Sequence, residues 1–342
     1  MVPDEWPIAT PSTEGGSVPA RAAAGSRLST VRIDFQLDSR ARLSEQERAL
    51  MTAMLAALVA MIADEFTALL ADAEPANDDG DRVFDKLWSA GLLDIPDLIA
   101  LLLRRAEEER LAAGIRATRP AGRSRFLQAL VSDEDGDVSA AAMALILARS
   151  RRRDRFEGPR LTFDDLSAES AVTLVSCIAA ALRGNLAGRL DPAAADDRLS
   201  GAARALLSRH DEGSRIEAKL FDLVHALDRV GRVDEGLIRS ALDEGEIFFV
   251  GELLARLSGI GFDAAWDHLT GGGGRLALLL RMAGLSRTLS GEILGSLAEV
   301  VGSDPAREIE EYDRLDDEQV DSARKWLRLD RAYRSAVRAF QE

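Results

Sequence analysis

From Leu43 onward, apolar residues recur at intervals of three and four with few interruptions, and that spacing confines the chain to packed α-helices. The first stretch sets the pattern. Leu50, Met54, Leu58, Ile62 and Phe66 follow at four-residue steps, and Leu55, Val59, Leu69 and Leu70 widen the stripe to the face a core helix needs. Ser44 followed three residues later by Glu47 is a capping box, whose reciprocal side-chain bonds satisfy orphan N–H groups at a helix start. A long helix is expected to begin there, its methionine-bearing stripe serving as core. Beyond the acidic, Pro-containing break from Glu74 to Asp81, the chain reads as short amphipathic helices of about 10 to 20 residues. Gly91, Pro96, Pro120, Gly136, Pro159, Pro192, Gly231, Gly245, Gly259 and Pro305 fall at or near the breaks. The expected fold is all-α: a layered, α-solenoid-like array of short antiparallel helices.

The apolar fraction is 46% but only 5% is aromatic, so the core must be built from Ala, Leu, Val and Ile, with Trp and Phe as occasional wedges. With 43 basic against 58 acidic residues the net charge is −15, which repels nucleic acid and anionic lipid and leaves a protein partner as the expectation. One stretch runs the other way. Arg149, Arg151, Arg152, Arg153 and Arg155 crowd the end of an expected helix and could dock an acidic partner, although arginines there also complement the helix dipole. The single cysteine, Cys177, lies in an apolar run and reads as a small buried hydrophobe.

Residues 1–41 are rich in Pro, Gly, Ser and Ala and read as a disordered arm, within which Val31, Ile33, Phe35 and Leu37 alternate with polar residues as a short strand would. The acidic start lacks the cationic region of a secretory signal, and the best apolar run, Leu98 to Leu103, is too short to span a bilayer. A cytoplasmic protein without membrane contact is therefore expected.

Parts of the sequence recur. Arg42-Leu43-Ser44 and Arg48-Ala49-Leu50 return as Arg198-Leu199-Ser200 and Arg204-Ala205-Leu206, displaced by 156 positions. Phe84-Asp85 returns as Phe221-Asp222. Phe126, Ala129, Gly136 and Ala141 return as Phe262, Ala265, Gly272 and Ala277, and Phe163-Asp164 as Tyr312-Asp313. A duplication would give two helical halves, residues 42–184 and 198–342, joined by a linker over 185–197.

No residue pattern carries catalysis. His210, His225 and His268 are too scattered for a metal site, no Gly precedes a Lys as a P-loop requires, and no Gly-x-Ser-x-Gly elbow occurs. Asp133-Glu134-Asp135-Gly136-Asp137 resembles a calcium loop only in its centre, because Val131 and Ala142 would occupy the two end positions that need carboxylates. Those acids are read as caps for the following helix. Gly271-Gly272-Gly273-Gly274 precedes a helix, as phosphate-binding glycines do, but follows another helix rather than a strand. An inter-helix turn is the simpler reading. His225 reads as a partly buried structural histidine.

The opening helix, with Leu43-Ser44, Glu47-Arg48-Ala49-Leu50-Met51, Leu55, Leu58 and Val59, resembles the start of a bacterial family of unknown function, DUF2336. Leu242-Asp243-Glu244-Gly245, Leu253-Leu254-Ala255 with Leu257-Ser258-Gly259, and Leu279-Leu280-Arg281-Met282-Ala283-Gly284-Leu285 are similar to its carboxyl half. The resemblance implies an all-helical body, a bacterial cytoplasmic setting and no established activity. The expectation is a noncatalytic interaction or regulatory protein, an adaptor or scaffold, with no cofactor or metal, an unidentified protein partner and possible self-association. Two alternatives stand beside it: an enzyme or sensor with a small-ligand pocket between the halves, near Trp266, Gly271, Gly272, Gly273, Gly274 and Arg275, and a phosphotransfer protein using His225.

Overall fold

The helices begin and end where proline and glycine punctuate the sequence. Pro96, Pro192 and Pro305 each stand at the first position of a helix, where a missing N–H costs nothing, and Gly91, Gly231, Gly245 and Gly259 take left-handed backbone angles of 68–72° just past helix ends. The computed structural model describes residues 43–70, 80–118, 126–153, 158–187, 190–297 and 300–340. The expected arm, with its strand at Val31 to Leu37, and Pro120 and Arg155 lie outside the described residues.

Sixteen α-helices occur among the described residues, with one isolated β-bridge, Arg153 to Pro159, so the fold is all-α. They are α1 (Glu45–Leu69), α2 (Gly80–Ser89), α3 (Pro96–Thr118), α4 (Phe126–Val131), α5 (Gly136–Ser150), α6 (Ala168–Ala187), α7 (Pro192–Leu207) and α8 (Ile216–Arg229). There follow α9 (Glu235–Asp243), α10 (Ile247–Ser258), α11 (Phe262–Leu269), α12 (Arg275–Met282), α13 (Arg287–Leu297), α14 (Pro305–Arg314), α15 (Asp317–Leu327) and α16 (Arg331–Ala339). The Asp191–Asp197 stretch, read as linker, is the capped start of α7: the Asp191 carboxylate accepts from Ala193 N at 3.2 Å.

Residues 45–342 form one unit with two apolar cores. The first is built from α1, α2, the front of α3, α6 and α7, and it buries Met54, Leu58, Phe66, Leu98, Leu102 and Leu174. The second gathers the back of α3 with α4, α5 and α8 to α15 around α10, which is buried continuously from Ile247 to Ala255. Chain order and core membership differ, because α4 and α5 join the second core before α6 and α7 return to the first. The most apolar helix is α1 rather than the Leu98 to Leu103 run: by length and composition it could cross a membrane, with mean hydropathy 1.8 over its best window. Its apolar face is the one buried against α2, α3, α6 and α7, with Leu58, Val59 and Phe66 fully covered.

Candidate interaction surface and arginine groove

The middle of α3 crosses from one core to the other. Leu98, Leu101 and Leu102 enter the first core and Leu111 and Ile115 the second, and the polar run between them forms an ionic seam. Arg105, 5% exposed, bonds Glu217 at 2.9 Å and Glu108 at 3.2 Å, and its guanidinium covers the Phe248 ring at 4.7 Å. Burial alone would lower the Arg105 pKa, but Glu217, Glu108 and Asp165 outweigh it and raise it. Asp165 is fully buried. It accepts from Arg152 Nε at 2.8 Å and from the Thr162 amide and hydroxyl, both at 2.9 Å. Burial pushes its carboxyl up, yet Arg105 and Arg152 hold it below the ordinary aspartate value.

This seam absorbs most of the arginine cluster that the sequence offers as a docking segment. Arg152 is 7% exposed and also donates to Ala148 O and Ser214 O; Arg149 pairs with Glu246, and Arg153 lies 3.6 Å from Glu109. Arg151 is exposed and pairs with no described carboxylate. Carboxylates far along the chain thus draw three of the four described guanidiniums back onto the protein.

A different set of arginines lines an open groove of about 620 Å³ between α8, α11 and the α15–α16 turn. Arg104 closes one side, held by Asp263 at 2.5 Å and Glu217 at 3.6 Å and lying over the Phe262 ring at 5.5 Å. Arg328 donates to Gly259 O at 2.8 Å. Arg215, Arg331 and Arg334 also line the groove, and no described side chain pairs with their guanidiniums; Nε of Arg215 and of Arg334 is buried without a hydrogen-bond partner. Of the lining acids, Glu217 and Asp263 are taken by Arg104, and Glu212 accepts from Ala168 N at 2.5 Å; Asp267 remains exposed at the rim. The first turns of α8 and α11 open on the same groove, and neither has a side-chain cap. Local sequence gives no signal for this grouping: its members come from four separated segments.

The proposed glycine loop lies elsewhere and is largely occupied by the protein's own groups. Gly274 N donates to Glu308 Oε1 at 3.0 Å, so a buried carboxylate from α14 stands where a phosphate oxygen would. Trp266 is 3% exposed, edge-on to Phe248 at 5.2 Å, and donates from Nε1 to Glu107 at 2.8 Å. Gly271 packs against Arg275, Gly272 and Gly273 complete the turn, and the Arg275 guanidinium pairs with no described carboxylate. His268 is part-buried, Nδ1 2.8 Å from Ala264 O, and burial lowers its pKa. His210 packs its ring edge on Phe163 at 5.0 Å. His225, expected to be partly buried, is exposed and lies parallel to the Phe221 ring at 6.0 Å. Among the described residues no three His, Cys, Asp or Glu side chains are placed to hold a metal ion.

Two neighbouring helices, α5 and α8, each expose large apolar side chains. Arg229 pairs with Asp137 at one end of α5 and α8, and Arg152 Nη2 donates to Ser214 O at 3.0 Å at the other, so the helices run antiparallel. Met143, Leu147 and Phe221 are 44%, 54% and 58% exposed. Two neighbouring helices therefore turn part of their apolar complement to solvent.

Comparison with curated proteins and with solved structures returns no match. A family model, described as an uncharacterised protein conserved in bacteria, matches residues 87–327. The match takes in the segments at 242–245, 253–259 and 279–285 on which the resemblance rests, and it starts after the opening helix that was also drawn into it. Spanning α2 to α15, more than two-thirds of the 342 residues, it makes this chain a member of the DUF2336 family.

Proposed function

We propose that this chain is a noncatalytic, cytoplasmic interaction protein that presents the α5–α8 face to a protein partner. What carries the reading is the exposure of Met143 and Leu147, one turn apart on α5, and of Phe221 on α8, the helix packed against it. Scattered single apolar residues need no explanation, but large apolar side chains exposed on two helices packed against each other are of the kind a protein interface uses. The net charge of −15 favours a protein over nucleic acid or anionic lipid as partner. A second copy of the chain is one such partner. The recurrent segments support an internal duplication in the same scaffold, since Phe126 and Phe262 each open a short helix that is followed by another.

The test is a Leu147→Glu, Phe221→Glu double variant of the full chain. Both residues are exposed, so the melting temperature should stay within a few degrees of the parent's. Proteins cross-linked to the parent through a photoreactive residue at position 143 should be lost at least tenfold in the variant. Light scattering distinguishes a second copy from a foreign partner. Unchanged cross-linking in the variant, or turnover of a metabolite by the purified chain, counts against the reading.

A further inference from the structure

Beyond that interaction role, we propose that the arginine groove between α8, α11 and α16 is a binding site for a small phosphorylated molecule. The argument starts from unsatisfied donors. An arginine carries five N–H groups, and buried ones are ordinarily bonded, as Arg152 is here through Nε, Nη1 and Nη2. Arg215 and Arg334, both half-buried, depart from that rule in one place, each with a buried Nε that has no acceptor, and the exposed Arg331 lines the same groove; none of the three has a carboxylate. Five arginines line the groove against four carboxylates, three of which already accept from Arg104 or Ala168 N, so the guanidiniums of Arg215, Arg331 and Arg334 are in excess there.

The remaining features select a phosphoryl group. The only lysines are Lys86, Lys219 and Lys325, so the groove's cations are all guanidiniums, whose planar forks match phosphate oxygens two at a time. The uncapped first turns of α8 and α11 add backbone N–H groups and two helix-dipole positive ends to the same wall. A volume of about 620 Å³ exceeds what one phosphate needs and falls in the range of small-molecule sites, so the phosphate belongs to a larger molecule. Phe262, half-buried beneath Arg104 and stacked on Trp266, also lines the groove and fixes the position of its Arg104 side. Arg331 and Arg334 belong to α16, so the ligand would also tie that helix to α8 and α11.

The full chain is titrated with inorganic phosphate, pyrophosphate and adenosine diphosphate at constant ionic strength, with sodium chloride as control, and followed by calorimetry and melting temperature. Pyrophosphate and adenosine diphosphate should bind saturably and raise the melting temperature where matched chloride does not. Arg215→Ala and Arg331→Ala should each weaken binding about tenfold or more, since each removes a charge-assisted bond. Without ligand both variants should melt at or above the parent's temperature, which a merely structural arginine would not allow. Arg287→Ala, which breaks a surface pair with Asp313, should leave affinity unchanged. The proposal is overturned by absence of saturable binding at millimolar ligand, by equal affinity in the Arg215 and Arg331 variants, or by binding confined to a phosphoserine peptide.

Discussion

Glu252 sits mid-way along α10, 8% exposed, with no ion-pair or hydrogen-bond partner among the described residues. Burial pushes its pKa up to about 7. The unfolded chain releases this proton near the ordinary glutamate value, about 4.3, while the folded chain keeps it until near neutrality. Between those limits the native state binds more protons than the unfolded state, so stability falls as pH rises from about 4.5 to 7 and then levels. The shift corresponds to at most about 3 kcal/mol. Glu252→Gln keeps the shape without the charge, and it should stabilise the protein by roughly 1–3 kcal/mol at pH 8 while changing little at pH 5. Denaturant melts at the two pH values decide this, and an equal effect at both would show that the carboxyl is not protonated in the fold. Asp165 makes the contrast: more deeply buried still, it is held ionised because Arg152 bonds it directly and the charge of Arg105 lies near.

At the scale of elements, close approach between helices is set by what is absent as much as by what is present. A Cβ at Gly80 would lie 2.7 Å from Ala60 Cβ and 2.9 Å from Ala60 Cα, so α2 begins against the backbone of α1. Gly80→Ala should therefore cost roughly 1–3 kcal/mol despite its better helix propensity. Gly136→Ala, at the open start of α5, should be neutral or stabilising, and Ala60→Gly should restore part of the Gly80→Ala loss. Chemical denaturation of the four proteins is the measurement; equal stability of all four would mean that α2 is not seated on α1. The helices themselves were legible in the sequence, since the Leu50 to Phe66 stripe, the prolines at helix starts and the glycines past helix ends act within a few residues. The pairing of helices was not. Arg104 meets Asp263 across 159 positions and Arg149 meets Glu246 across 97, so nothing local marks Arg149, Arg152 and Arg153 as seam residues or Arg215, Arg331 and Arg334 as lining one groove.

Across the whole molecule, α3 is the element that both cores need. Its front turns bury Leu98 and Leu102 with α1 and α6, its rear turns bury Leu111 and Ile115 with α5 and α10, and the Arg105, Glu217, Arg152 and Asp165 seam fills the crossing. A helix is stable in water chiefly through the tertiary contacts of its faces, so losing either core removes half of what holds α3. Opening the crossing would also expose a charge network that is satisfied only when both sides are in place, and a buried pair left with one partner is strongly destabilising, by about 3–5 kcal/mol. The two cores should consequently melt as one. Leu98→Ala and Leu111→Ala each delete a fully buried side chain from a different core, at a cost of about 2–5 kcal/mol. Each should shift a single calorimetric transition, by similar amounts. Two transitions, with each substitution moving only its own, would show that α3 joins independent halves rather than fusing them.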